Sequence, residues 1–361
     1  MQKIFIKKCS VKPLQAKLIS PFRTALGQHD NLENLSFHLE LSDGTIGFGE
    51  AAIASHITGE TLQATQTNLD EIAKELAGQD LNSYLAISSY LHQKFPNNQC
   101  AVAAVEMAVF DAFTKQLNIP LWKMFGSTLK KITSDITIVI SDLDETVATT
   151  KEFYRKGFRT FKVKIGRDDA LDLKRVLAVK KHTRNSAIIL DANQGYTADQ
   201  TLKFLKELKR LGVKPQLIEQ PVNKEDWEGL KKVSQLSGVL VCADESASSL
   251  SDVVRIIKEK AAPVINIKLM KFGLIHAREA AVLARSAGLE LMMGGMMESP
   301  LAMTAAAHLA SGMGCFKYID LDTPFFIAST PRIGGLRQAT YLNSKGIYDV
   351  GKVKCGIGID L

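Results

Sequence analysis

Between residues 130 and 322, short apolar runs recur at a near-constant interval, and each closes on a charged residue. "TFKVKIG" carries Lys162 and Lys164, "AIILDAN" ends on Asp191, and "QLIEQP" on Glu219. "VLVCADES" ends on Asp244 and "VINIKLM" on Lys268. These charges fall 24 to 28 residues apart, about the length of a strand, a helix and two loops. The pattern predicts strands at 134–140, 160–166, 187–193, 216–220, 239–246, 264–269, 289–295 and 315–321, with helices in most of the gaps. One helical stretch, "ADQTLKFLKELKRLG", ends in a glycine cap. Eight strands with helical crossovers predict a closed (β/α) barrel in the α/β class. No G-x-G-x-x-G follows the first strand, which argues against a doubly wound dinucleotide-binding sheet.

Residues 1–125 follow a different grammar and predict an α+β capping domain. "KIFIKKCSVKPLQAKL" alternates as a strand, and "SFHLEL" and "TIGFGEA" flank the turn "SDG" as a hairpin. Between them, "ISPFRTALGQHDN" reads as a long polar loop. Helical spacing predicts helices near 60–76, 82–95 and 99–117. His38 alternates toward solvent and His56 falls in a loop, so surface positions are expected for both. The barrel is expected over 126–325, and a strand-like segment over 326–361 is expected to return to the cap.

Composition narrows the function classes. The formal net charge of +7 over 361 residues comes from scattered lysines such as "LKELKR", which read as solvated helix faces. No nucleic-acid motif appears, so no nucleic-acid partner is expected. The five cysteines are odd in number and widely spread, as suits reduced thiols rather than a disulfide framework. The longest apolar stretch is cut by Glu298, Ser299 and Pro300, so no membrane span is expected. "MQKIFIKKCS" lacks a signal-peptide core, which makes a cytoplasmic protein the expectation.

The charged strand ends carry the candidate chemistry. A barrel places its active site at the C-terminal ends of its strands. A buried strand should be apolar, and a charge there costs several kcal/mol unless it is paired or metal-bound. Asp191, Glu219 and Asp244 close strands three, four and five, and three neighbouring carboxylates call for a cation. Hard oxygen donors suit one Mg²⁺. Asn193 shares a strand face with Asp191 and would support that shell. Lys164 closes strand two and Lys268 strand six, so two amines face each other across the mouth. Lys162 shares Lys164's face. The arrangement suits removing a proton from one face of a carbon and returning one to the other, while a metal takes up enolate charge.

The set "KVKIG", "LDANQGY", "LIEQP", "ADES" and "NIKLMK" resembles the enolase superfamily, in its muconate-lactonizing-enzyme-like subgroup. The resemblance implies a modified barrel, (β/α)7β, with Lys164 and Lys268 as acid/base lysines and Lys162 as auxiliary amine. It also implies Mg²⁺ on Asp191, Glu219 and Asp244, and a homo-oligomer.

Strand eight sharpens the reading. "YIDLDTP" puts Asp320 and Asp322 on one face, opposite the metal, where they would meet a free ammonium. This Asp-x-Asp resembles the dipeptide epimerases, whose familiar members act on L-Ala-D/L-Glu from peptidoglycan. The resemblance implies 1,1-proton transfer at the α-carbon of a dipeptide's C-terminal residue. It places Gly27 where those enzymes carry an arginine for the glutamate side chain; Arg23 lies nearby. Gly295, Met297 and Glu298 are expected to line the pocket. Glu298 would either orient Lys268 or cap the next helix. Runner-up readings are an o-succinylbenzoate synthase, an N-acylamino acid racemase or a cycloisomerase, whose substrates lack the ammonium. More remote is a non-catalytic ligand-binding barrel.

Overall fold

A computed structural model of the chain describes residues 3–330, 332–337 and 341–361. The chain opens with an antiparallel meander of β1 (Ile6–Arg23), β2 (Gln28–Leu41) and β3 (Ile46–Ala51). The long loop expected at 19–31 is a tight hairpin instead. Thr24 N–H donates to the Gly27 carbonyl at 2.9 Å, and Thr24 Oγ1 accepts from the Leu26 and Gly27 amides at 3.3 Å. A threonine turn thus replaces the Asn-Gly signal that would have marked the hairpin. The pairing register also shifts between Lys17 and Phe22, which breaks the alternation.

Three helices follow, α1 (Leu62–Leu76), α2 (Tyr84–Lys94) and α3 (Gln99–Gln116); α1 and α3 pack on the meander, and α2 packs on α3. The α3 backbone lies directly on β3. A Cβ at Gly47 would fall 2.0 Å from the Ala108 carbonyl, and one at Gly49 1.8 Å from that of Ala104, so only glycine permits this approach. His38, expected at the surface, is 6% exposed. It hydrogen-bonds Ser36 Oγ at 3.0 Å and meets Phe48 edge-on. β2 is the central strand, and residues 34–39 are buried throughout, so alternation there marks no wet face.

Eight parallel strands follow in sequential order: β4 (Ile136–Ile138), β5 (Thr160–Lys164), β6 (Ala187–Asp191), β7 (Leu217–Glu219), β8 (Leu240–Ala243), β9 (Val264–Lys268), β10 (Glu290–Gly294) and β11 (Phe316–Ile319). Between them run α4 (Leu143–Lys156), α5 (Asp169–His182), α6 (Ala198–Arg210), α7 (Trp227–Leu236), α8 (Leu250–Glu259), α9 (Leu269–Ser286) and α10 (Pro300–Met313). This is the (β/α)7β arrangement. The helices form where apolar stripes meet caps. In α6, Thr197 and Gln200 make a reciprocal capping box, while Phe204, Leu205 and Leu208 are buried.

The ends of the sheet meet across β4 and β11. Asp135 N–H donates to the Ile319 carbonyl at 2.8 Å, and Thr137 N–H to Asp322 Oδ2 at 2.5 Å. Ile189, Leu217, Cys242, Val264, Met292 and Tyr318 plug the barrel floor. All five cysteines are free. Among the described residues, no helix is long and apolar enough to cross a membrane.

The C-terminal segment meets the cap at once: Ile327 bridges to Leu18 of β1, and Ala328 N–H donates to the Lys17 carbonyl at 2.8 Å. Ile347–Asp349 then pairs antiparallel with Lys131–Thr133 beside the barrel. Farther on, Leu121 N–H donates to the Gly356 carbonyl and Ile357 N–H to Asp111 of α3.

Candidate active site

The ladder register brings the charged strand ends together. Lys164 pairs with Asp191, and Asp191 with Glu219. Lys162 points the same way as Lys164 because side chains alternate along a strand. Asp244 lies just past β8 and Lys268 closes β9. Burial strips these groups of most of their hydration: Lys162, Lys164, Lys268, Asp191, Glu219 and Asp244 are all buried.

Pairing replaces that hydration. Lys162 Nζ lies 2.6 Å from Asp320 Oδ2, 2.8 Å from Glu219 Oε2 and 2.9 Å from Asp191 Oδ2. Lys164 Nζ donates to Asp191 Oδ2 at 2.6 Å and to Asn193 Oδ1 at 3.0 Å. Lys268 Nζ lies 2.7 Å from Asp244 Oδ2. Asn193 also donates its backbone N–H to Asp191 Oδ1 at 2.9 Å, so it braces both members of that pair.

The field at each group follows from these partners. Burial works against an ionised Asp191, but Lys162 and Lys164 outweigh it and bring its pKa down to about 2. Burial is likewise outweighed at Asp244, where Lys268 and Lys271 hold the carboxylate well below its ordinary range. Glu219 goes the other way: burial first, then the Asp191 charge, pushes it up to about 8. Lys268 loses some of its ammonium preference to burial, yet Asp244 and Glu219 more than restore it and raise its pKa. Lys162 is raised in the same way, chiefly by Asp191 and Asp320.

Lys162, Lys164, Asn193 and Lys268 line one cavity with Gly295, Met297, Asp320 and Asp322. Its cap-side wall is Phe22, Ala54, His56 and Ile57. His56 therefore reaches the site, as does His29, whose ring lies 5.0 Å from it. Three of the residues expected to line the pocket, Arg23, Gly27 and Glu298, stand back from this lining. Arg23 donates Nε to Gln28 Oε1 at 3.0 Å and faces Glu145 at 3.8 Å. Gly27 meets the cavity only through His56, whose ring lies 3.5 Å from where a Cβ would stand. Glu298 is buried and accepts from Met296 N–H at 2.6 Å. It does not cap α10; Ser299 does, accepting from Leu301 N–H.

The donor set can be weighed for a cation. Eight carboxyl groups are buried around the mouth: Asp135, Asp191, Glu219, Asp244, Glu245, Glu298, Asp320 and Asp322. Four buried amines oppose them: Lys162, Lys164, Lys268 and Lys271. Burial pushes Glu245 and Asp322 up to about 7 and Glu298 to about 8, as expected of carboxyls short of positive charge. An oxygen-rich cluster with a deficit of cations fits a divalent ion. The geometry adds a distinction. Among the described residues, the carboxylates whose oxygens all lie within 4.8 Å of one another are Asp135, Asp320 and Asp322. In Asp191, Glu219 and Asp244, lysine ammoniums already occupy oxygens that a metal would claim.

Several site residues escaped the sequence reading. Lys271 Nζ donates to Asp244 Oδ1 at 2.7 Å, to the Asp244 carbonyl at 2.6 Å and to the Asn266 carbonyl at 2.9 Å. It follows Lys268 by three residues in "NIKLMK", so helical spacing at the start of α9 was the available signal. Asp135 sits at the start of β4, and neither carboxylate oxygen has a conventional donor. Asn193, Gln194 and Gln220 adopt positive φ of 39°, 68° and 32°, marking strained turns beside Asp191 and Glu219. Gln220 uses its turn to accept from the Asp244 and Ser246 amides at 2.9 and 3.1 Å.

Known proteins share this arrangement. Residues 8–126 match the family model of the mandelate racemase / muconate lactonizing enzyme N-terminal domain, and residues 145–361 match that of the enolase C-terminal domain-like family. The chain is 45% identical to a hydrophobic dipeptide epimerase of Citrifermentans bemidjiense, over 96% of this chain and 95% of that protein. It is 32% identical to the L-Ala-D/L-Glu epimerase of Bacillus subtilis, over 88% of each. A crystal structure of a dipeptide epimerase from Enterococcus faecalis, complexed with Mg and the dipeptide L-Leu-L-Tyr, superposes with a TM-score of 0.94 at 29% identity. That match covers 99% of this chain and 100% of the other. The barrel with its lysine- and carboxylate-lined mouth, and relatives of near-equal length, together make this chain an isomerase of the enolase superfamily, in the dipeptide-epimerase group of its mandelate racemase and muconate lactonizing enzyme branch.

Proposed function

We propose that the protein is a Mg²⁺-dependent epimerase that inverts the α-carbon of a dipeptide's C-terminal residue by two-lysine proton transfer. The observation that carries this reading is the meeting of Lys164, Lys268, Asp320 and Asp322 in one cavity. Lys268, held as an ammonium by Asp244, supplies a proton to one face of the α-carbon. Lys164 exchanges a proton at the other face, with Asp191 and Asn193 fixing its position. Lys162 neutralises Asp191, Glu219 and Asp320 from below. Asp191, Glu219 and Asp244 would hold the Mg²⁺, which supplies positive charge for the substrate carboxylate as its α-proton leaves. Asp320 and Asp322 receive the free ammonium at the far end. The boundaries at 125 and 325 belong to the same reading, as a cap over a barrel.

The wall of the cavity favours an apolar second side chain. Phe22, Ala54, Ile57, Met296 and Met297 contribute carbon, and Arg23 turns outward. Burial lowers the pKa of both His29 and His56, so neither supplies a cation at neutral pH. The name of the Citrifermentans relative agrees with that preference. An N-acylamino acid racemase reading lacks a use for Asp320 and Asp322.

The test is proton–deuterium exchange by NMR with Mg²⁺ in D₂O. Free dipeptides with apolar C-terminal residues should gain deuterium at the C-terminal α-carbon and invert. Exchange confined to N-acylated amino acids would sink the proposal.

A further inference from the structure

Two buried polar residues of the cap, Asn34 on β2 and Glu50 on β3, reach across to the barrel. Asn34 is 3% exposed and Glu50 fully buried. Asn34 Nδ2 divides its two protons between Glu50 Oε1 at 2.7 Å and the Met297 carbonyl at 2.9 Å. Its Oδ1 accepts from the Ile53 amide at 3.2 Å. Glu50 accepts from Ser299 N–H at 2.9 Å, Ser299 Oγ at 2.5 Å and Ala302 N–H at 3.2 Å. Burial raises the Glu50 pKa, and the bonds from Ser299, Asn34 and Ala302, two of them from amides that open α10, work against that rise.

These bonds join the two walls of the cavity. Gly295, Met296 and Met297 line it from the barrel, and Ala54, His56 and Ile57 line it from the cap. Asn34 touches Met297 on one wall and Ile53, next to Ala54, on the other. Both of its protons are donated and its oxygen accepts once, which uses three of the four bonds an amide side chain can make. Neither residue lines the cavity itself, so neither can touch substrate. Both act on the reaction through the spacing of the walls, and Glu50 also through its charge, which works on Glu298.

We infer that Asn34 and Glu50 are positioning residues that fix the distance between the 53–57 and 295–299 walls, and so set which side chains the cavity admits. This inference rests on the epimerase reading for its kinetic test but not for its structural one. Removing Asn34 frees Met297 and Ile53 together. Exchanging polarity, as in Asn34→Asp with Glu50→Gln, restores the bond between positions 34 and 50 but leaves the Met297 carbonyl without its donor.

The experiment compares wild type with N34A, E50Q and N34D/E50Q. Hydrogen–deuterium exchange is read over residues 50–58 and 293–303, and KM and kcat for one small and one bulky dipeptide. In N34A, both segments should exchange faster, and the ratio of the two KM values should move about five- to tenfold, with kcat changing less. The double variant should keep the shifted KM ratio while E50Q alone also speeds exchange at Ser299 and Ala302. Unchanged exchange in both segments, or equal KM changes for both substrates, would overturn the inference. If wild type turns over no dipeptide, the functional reading fails, and the exchange data still decide whether the clamp exists. E50Q preserves shape, so it keeps the test open should N34A fold poorly.

Discussion

Lys271 holds the opposite oxygen of Asp244 from Lys268: 2.7 Å to Oδ1 for the one, 2.7 Å to Oδ2 for the other. Lys271 also donates to the Asp244 and Asn266 carbonyls, so three bonds hold its ammonium in place. It fixes the plane of the carboxylate while Lys268 remains a single-bond partner. Replacing Lys271 with methionine should leave the chain length but lose the brace. The Mg²⁺ concentration for half-maximal activity should then rise about 10- to 100-fold, the usual cost of losing a ligand's outer partner. A metal titration of initial rates checks this.

Lys164→Ala and Lys268→Ala should each slow epimerisation by about 10²- to 10⁴-fold, the usual contribution of a positioned acid or base. Circular dichroism should show both variants folded. Near-wild-type turnover in either would remove it from the two-base scheme. Deuterium incorporation from one stereoisomer but not the other would show which face each lysine serves.

Asp322→Asn should raise KM for free dipeptides by about 10- to 150-fold, the equivalent of one charged hydrogen bond. N-acetylated analogues, which bring no ammonium, should bind no worse than before. Asparagine keeps an oxygen to accept from Thr137 N–H, so the β4 seam should hold and Tm should change little.

Chelation should stop the reaction, and added Mg²⁺ should restore it. Full activity in excess chelator would refute the metal requirement.

Glu298 makes a stability prediction with a definite sign. Its folded pKa is raised to about 8 by burial, above the ordinary carboxyl value it has when unfolded. The unfolded chain therefore releases the proton first as pH rises, and folded stability falls between about pH 4.5 and 8. Glu298→Gln keeps an acceptor for Met296 N–H without the charge. Melting curves should coincide at pH 5, whereas at pH 9 the variant should melt a few degrees higher. A variant less stable than wild type at pH 9 would show that the ionised carboxylate is well solvated or paired.

Periodicity carried most of the barrel. The strand ends at Lys164, Asp191, Glu219 and Lys268 were readable because a charge closing an apolar run is costly and therefore conspicuous. Their proximity follows from strand order alone. The cap was less legible. His38 alternates with apolar neighbours, but alternation reports a wet face only when the second face of the sheet is uncovered, and β2 is covered on both. The Thr24–Gly27 hairpin carries no type I′ dipeptide. Asn34 and Glu50 bond to Met297 and Ser299, far away in sequence, and Asp135 lies against Asp320 and Asp322, on elements whose approach no local pattern encodes. Asn34 and Met297 are 263 residues apart.

Asp322 belongs to two structures at once. It lines the cavity, and its carboxylate also accepts from Thr137, stitching the last strand of the barrel to the first. The circle of strands is completed by a backbone bond, Asp135 N–H to the Ile319 carbonyl, and beside it by this side chain. Selection for a new substrate cannot therefore exchange this residue freely, because any replacement must still offer an oxygen at the seam. Changes of specificity are cheaper on the cap wall, around Phe22, Ala54 and Ile57, where no strand depends on the side chain. A lineage descending from this fold should accordingly vary the residues of that wall more readily than the oxygen-bearing side chain at position 322.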